Sequence, residues 1–132
     1  MKSEEIFKKL RLKVSGNLLI INAPEEYKTI LKGIAFDSQL SAEKKGKYDF
    51  VQIFATSQAE LENLVKHVKK AGIYDCLFWA CYPKGTGKIK SDIKRETVWD
   101  AFKLIDLQAV SQIAIDDTWS ALRARPKNAI GK

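Results

Sequence analysis

The chain has 132 residues, 45% of them hydrophobic and 30% charged, with a formal net charge of +7. Those proportions suit one soluble globular domain and exclude a disordered chain, a collagen, a coiled coil and a disulfide scaffold. The basic excess is uneven: residues 1–66 carry 11 basic and 9 acidic side chains, residues 67–132 carry 12 and 7. Such an excess draws anions but is not a site. The longest unbroken apolar run, residues 76–82, is far shorter than the roughly 20 residues that span a membrane. The opening Met1-Lys2-Ser3-Glu4-Glu5 is charged, unlike a secretory signal. A cytoplasmic chain with reduced thiols and no membrane partner is expected.

In chain order, residues 3–12 read as a short helix, with Ser3 able to cap it and Ile6, Phe7 and Leu10 on one face. Residues 17–21 are apolar and mostly branched between Gly16 and Asn22, a buried strand. Pro24 suits a first helical turn, so a helix is expected over 25–32, stopped by Gly33. A weak strand over 35–40 and a solvated loop over 41–47 come next. Residues 48–55 form a strong strand. Ser57 and Glu60 have capping-box spacing before a helix whose buried stripe is Leu61, Leu64, Val65 and Val68, ended by Gly72. Residues 75–82 are apolar at both parities, as in a central strand covered on both faces.

Residues 83–90 form a basic loop containing glycine. Ser91 or Asp92 then caps a helix expected to reach about residue 105. A strand over 108–115 turns tightly at Asp116-Asp117-Thr118 into a strand over 119–125, and two strands joined this closely are antiparallel. Residues 126–132 read as a flexible tail on a single-domain core of 3–125. The alternation predicts an α/β fold: three layers, Rossmann-like, with a mostly parallel sheet ending in an antiparallel hairpin. That arrangement is similar to the class I methyltransferase core. The link over 41–47 is too short for a helical crossover, so the core is expected to be reduced, with a strand and a helix missing from its first half.

The strings Asn22-Ala23-Pro24-Glu25-Glu26-Tyr27, Asp49-Phe50-Val51-Gln52-Ile53-Phe54, Thr56-Ser57-Gln58-Ala59-Glu60-Leu61, the run 79–84 and Asp117-Thr118-Trp119-Ser120-Ala121-Leu122-Arg123 resemble a family of small bacterial proteins classed as a domain of unknown function. The resemblance runs from about residue 16 to 126. It implies a Rossmann-like core and carries no activity and no catalytic residue with it.

Ligands of open α/β sheets bind at the carboxyl ends of the strands. The polar groups expected there are Asn22, Thr56, Tyr82, Lys84, Lys88, Asp116 and Asp117. Each also has a structural reading, as a cap or a turn. Nucleotide and S-adenosylmethionine sites open with a glycine-rich turn, which lets the backbone approach the cofactor. Here that turn is Asn22-Ala23-Pro24-Glu25-Glu26, with no glycine and with two carboxylates that would repel a pyrophosphate; this removes the usual docking surface without excluding a cationic cofactor, and no cofactor is expected. In the loop 84–90, two glycines, three lysines and Thr86 suit an anion, or equally a solvated surface. Lys88, Lys90, Arg95 and Trp99 make a candidate anion or nucleic-acid surface, in which Trp99 stacks on a base or is covered by Arg95.

Ser91 and Lys94 match a Ser-x-x-Lys pattern without its companion motifs. Cys76 and Cys81, five apart on a strand, face opposite ways about 16 Å apart, too far for a disulfide or a shared metal. His67, the one histidine, sits among lysines with no partner for catalysis. Arg123 and Arg125 share a strand face, where they pair with acids or bind a partner. The leading expectation is a non-catalytic binding or interaction module for a small anionic ligand or a protein. The alternatives are an enzyme acting on a phosphorylated or nucleotide-like ligand at the carboxyl edge, and nucleic-acid binding through 84–90.

Overall fold

The computed structural model describes residues 3–85 and 87–130. The Ser3 side chain, the Thr86 hydroxyl and tail residues 131–132 lie outside the described part. The elements are α1 (Ser3–Leu10), β1 (Leu18–Ile21), α2 (Glu25–Ile30), β2 (Tyr48–Phe54), α3 (Gln58–His67), β3 (Gly72–Pro83), α4 (Arg95–Lys103), β4 (Leu107–Ala114) and β5 (Trp119–Pro126). They build one five-stranded sheet in the order β1-β2-β3-β5-β4. β1, β2 and β3 pair in parallel, while β5 runs antiparallel to both β3 and β4. The expected α/β class, parallel sheet and terminal hairpin are all present.

The sheet is covered on both faces because its central strands are apolar at both parities. On one face Val51, Ile53, Phe78, Ala80 and Leu122 pack under Leu61 and Val65 of α3 and Val98 and Phe102 of α4. On the other, Phe50, Phe54, Trp79, Cys81 and Ala121 pack under Ile6 and Leu10 of α1 and Tyr27 and Leu31 of the α2 segment. Cys76 packs toward the first face and Cys81 lies in the second, and both thiols are free. Trp79 Nε1 donates to Leu10 O at 3.0 Å, which ties the end of α1 to the sheet.

Four details depart from the sequence reading. The weak strand at 35–40 shrinks to one parallel bridge, Leu19 to Asp37. Gly33 turns the chain at φ +88°, and two backbone bonds, Ile20 N to Asp37 O and Asp37 N to Leu18 O, are all that reach β1. β3 begins at Gly72, earlier than expected. Tyr48 pairs with Gly72 but Phe50 pairs with Leu77, so β3 bulges in between, with Asp75 at φ +58°. That bulge folds Cys76 back over Gly72, where a Cβ would overlap the thiol, so glycine is required there.

The helix expected to start at Ser91 or Asp92 starts at Arg95 instead. Thr97 Oγ1 accepts from Lys94 N at 2.8 Å and closes its first turn. Ser91 Oγ accepts only from Ile93 N, and Asp92 Oδ1 accepts from Gln58 N at 2.8 Å, capping the neighbouring α3. Finally, residues expected in the tail continue the fold: Pro126 closes β5, and Lys127–Ala129 form a 3-10 turn with Ala129 buried.

Candidate functional site

The parallel strands deliver Asn22, Thr56 and Lys84 to one edge, and the β4–β5 hairpin brings Asp116 and Asp117 to it. Most of these groups are occupied. Asn22 takes a left-handed conformation (φ +61°), and its Nδ2 donates to Phe54 O at 3.4 Å, bridging the ends of β1 and β2. Thr56 N donates to Glu60 Oε1 at 2.8 Å, while Ser57 Oγ accepts from Glu60 N at 3.2 Å. The two-way cap expected at α3 is therefore shared between Thr56 and Ser57. Asp116 Oδ1 accepts from Thr118 N at 2.8 Å and Trp119 N at 2.7 Å, which fixes the hairpin turn. Asp117 is exposed beside it.

The basic loop is docked rather than free. Lys84 N donates to Thr118 O at 2.8 Å, and Gly87 N donates to Lys84 O at 3.0 Å. Gly87 lies against the Asp117–Thr118 backbone, and Ile89 packs into the core on the α2 face. Lys88 and Lys90 are exposed.

An open cleft of about 400 Å³ remains between the end of β3, the start of β5 and the start of α4. Of the sequence candidates, Tyr82, Lys84 and Arg95 line it, and Lys94, Glu96, Gln112 and Ser120 join them. Asn22, Thr56, Asp116 and Asp117 are not in its lining, nor are Lys88, Lys90 and Trp99. The Tyr82 hydroxyl accepts from Gln112 Nε2 at 3.2 Å. Burial raises the Tyr82 pKa above the ordinary phenol value, Arg95 opposes the rise and Glu96 adds to it. A neutral phenol whose oxygen already accepts one bond has its own O–H to donate. The wall thus carries three cations, one carboxylate and two hydroxyls.

Trp99 lies outside this cleft. It is 45% exposed, with the Arg95 guanidinium 6.0 Å from its ring centroid. It lines a separate groove of about 560 Å³ along the β4 edge with Lys103, Leu107 and Lys127. The arginine lies over the ring and leaves nearly half of Trp99 exposed. His67 is exposed at the end of α3. Among the described residues no group of three or more His, Cys, Asp or Glu side chains comes together as a metal site. No helix among them is long and apolar enough to cross a membrane.

Sequence reasoning missed a buried polar cluster beneath the edge. Tyr27 Oη donates to Gln52 Oε1 at 2.9 Å, and Gln52 Nε2 donates to Cys81 Sγ at 3.3 Å. Gln52 is wholly buried. A glutamine in the middle of an otherwise apolar central strand was the available signal. Above the cluster, Tyr27 packs tilted on Phe54 and Phe54 packs edge-to-face on Trp119, with ring centroids 5.0 and 5.2 Å apart. All three rings are buried, so aromatic side chains fill the α2 side of the β2 and β5 ends.

The chain is similar in structure to solved methyltransferases. A SAM-dependent methyltransferase from Aquifex aeolicus matches with a TM-score of 0.59 at 13% identity, over 92% of this chain and 88% of that one. A putative type 11 methyltransferase from Sulfolobus solfataricus matches with a TM-score of 0.57 at 14% identity, over 98% and 82%. Magnesium protoporphyrin IX methyltransferase from Synechocystis PCC 6803, solved with bound SAH, matches with a TM-score of 0.58 at 11% identity, over 95% and 83%. No family model and no curated protein sequence matches the chain. At these identities the likeness concerns the fold, and the fold is that of the Rossmann-like methyltransferases.

The turn after β1 differs from the glycine-rich turn on which nucleotide cofactors dock. Pro24 supplies no N–H at the start of α2, Glu25 and Glu26 place two carboxylates in its first turn, which oppose a phosphate there, and the Asn22 side chain bonds to the end of β2.

Proposed function

We propose that this chain is a non-catalytic binding module on a reduced methyltransferase-like core, taking a small anionic ligand in the cleft between β3, β5 and α4. The single observation that carries the reading is the contrast along one sheet edge. The turn after β1 has no glycine and carries Asn22 bonded to β2, Pro24, Glu25 and Glu26, while Lys84, Lys94 and Arg95 line open space some strands away. Arginine and lysine together favour a phosphate or carboxylate, and Tyr82 and Ser120 add uncharged hydroxyls that can orient it. A cytoplasmic location and the resemblance to small bacterial proteins of unknown function belong to the same reading.

Methyl transfer is the second reading, and the fold likeness favours it. It requires the cofactor to bind. The test is a thermal-shift series with sugar phosphates, nucleotides, dicarboxylates and S-adenosylmethionine. Under the first reading a phosphorylated or carboxylate ligand raises the Tm, S-adenosylmethionine leaves it unchanged, and Lys84→Gln or Arg95→Gln removes the gain. Stabilisation by micromolar S-adenosylmethionine supports the second reading and ends the first.

A further inference from the structure

The opposite edge of the sheet holds charge that the cleft does not use. Arg125 is satisfied: its Nε and Nη2 donate to Asp75 Oδ1 at 2.9 Å and Oδ2 at 2.8 Å. Both oxygens of that carboxylate are thereby engaged. Arg123, two residues earlier on the same face of β5, is different. Its Nε is buried and has no hydrogen-bond partner among the described residues. Guanidinium groups do not escape this by losing a proton, so Arg123 stays charged, with its Nε unpaired and the rest of the half-buried group left to find an acceptor.

A third arginine follows α1 on the same face of the sheet. Arg123 pairs across the sheet with Trp79, and Trp79 Nε1 holds Leu10 O. The chain reverses at Arg11, in a left-handed conformation (φ +60°) with its N–H on Lys8 O at 3.1 Å. Arg11 therefore leaves α1 beside the Trp79–Arg123 pair. Burial first, and then the nearby Arg11 and Arg125 charges, hold the Arg123 pKa below the usual guanidinium range, while Asp75 opposes them. Asp75 is engaged by Arg125, so Arg123 and Arg11 leave positive charge at this edge that the pair does not neutralise.

We propose that Arg123 and Arg125, beside Asp75 at the amino edge of the sheet, together with Arg11 at the end of α1, bind the phosphate dianion of a phosphomonoester. Planar guanidinium forks match phosphate oxygens two at a time, and the fixed Asp75–Arg125 pair holds one fork in place before the ligand arrives. The phosphate comes either from a small phosphorylated metabolite or from the 5′-phosphorylated end of a nucleic acid. This site is separate from the cleft between β3, β5 and α4 and stands whether or not that cleft binds a ligand.

The test tracks the arginine Nε–H resonances of the full chain by 15N NMR. Sodium phosphate is titrated against sodium chloride at matched ionic strength. The Arg123 resonance shifts saturably with phosphate and not with chloride. In Arg123→Met, which keeps the apolar stem, phosphate binding read at Arg11 is at least about tenfold weaker, the loss of one charge-assisted hydrogen bond. Lys45→Gln, which removes an equal charge from an exposed loop, leaves it unchanged. Should Arg123→Met fail to fold, Arg11→Gln at an exposed position carries the same expectation, read at Arg123. A second arm compares 5′-phosphorylated with 5′-hydroxyl octauridine. Preference for the phosphorylated end assigns a nucleic-acid source. A phosphate response without that preference assigns a small phosphorylated molecule. Equal responses to phosphate and chloride overturn the proposal.

Discussion

Replacing Tyr27 with Phe removes one oxygen and tests whether the space under the carboxyl edge is sealed. The hydroxyl donates to Gln52 Oε1 at 2.9 Å, Tyr27 is 3% exposed and Gln52 is 0% exposed. No water can replace the lost donor in a sealed site, so Gln52 Oε1 is left unpaired. A stranded buried acceptor costs about 1–3 kcal/mol. For a domain of this size each kcal/mol moves the Tm by about 3–5 °C, so Tyr27→Phe is expected to melt roughly 3–15 °C lower. The assay is urea unfolding followed by the fluorescence of the buried Trp79 and Trp119. The midpoint should fall with the slope unchanged.

The double variant Tyr27→Phe with Gln52→Leu removes both partners at similar volume and should recover most of the loss. A single variant within about 0.3 kcal/mol of the parent would refute the reasoning. Gln52 would then be hydrated, and the edge beside α2 would be open space rather than packed aromatic rings.

The thiols give a second expectation. Burial pushes Cys81 up to about 12 and Cys76 up to about 11. The native chain should therefore react with an aromatic disulfide reagent at pH 8 far more slowly than the chain in denaturant, Cys81 last. Both folded pKa values lie above the unfolded ones, so this stabilisation is complete below the ordinary thiol range and is lost as pH rises through 11 to 12. Acid acts on different groups. The Tyr48 hydroxyl bonded to Asp37, helped by Lys44, holds that carboxyl below its usual range, and Arg125 does the same for Asp75. Their folded pKa values are depressed, so the stability they lend is present above the ordinary carboxylate range and lost as pH falls below it. Asp37→Asn should flatten the acid limb of a pH–Tm profile; an unchanged limb would show that the Tyr48 bond lends no pH-dependent stability.

The fold was legible where one signal dominated. β2 and β3 are long apolar runs, and the Ser57–Glu60 spacing marks the start of α3 within a residue. It was less legible where partners are remote in sequence. Asp92 reads as a cap for the next helix along the chain, yet it caps a helix thirty-four residues earlier, because the loop before α4 passes over the start of α3. The bulge at 73–76 hides the first part of β3, since a left-handed Asp75 breaks the two-residue alternation on which a strand is recognised. The cleft shows the same limit. Tyr82, Lys84 and Arg95 come after a strand end and could be named from sequence. Gln112 and Ser120 arrive only through the antiparallel register of β4 and β5. Arg125 could be expected to find an acid, but its partner Asp75 is set by the same bulge.

The most direct measurement is a titration of the 15N-labelled chain with S-adenosylhomocysteine to millimolar concentration, watching the amides of Asn22, Ala23, Glu25 and Glu26. The expected spectra superimpose throughout, with no movement at the turn after β1. Saturable shifts of those four signals at micromolar ligand would mean that this bend seats an adenosyl group after all, and that a methyltransferase-like core has kept its cofactor without its glycines.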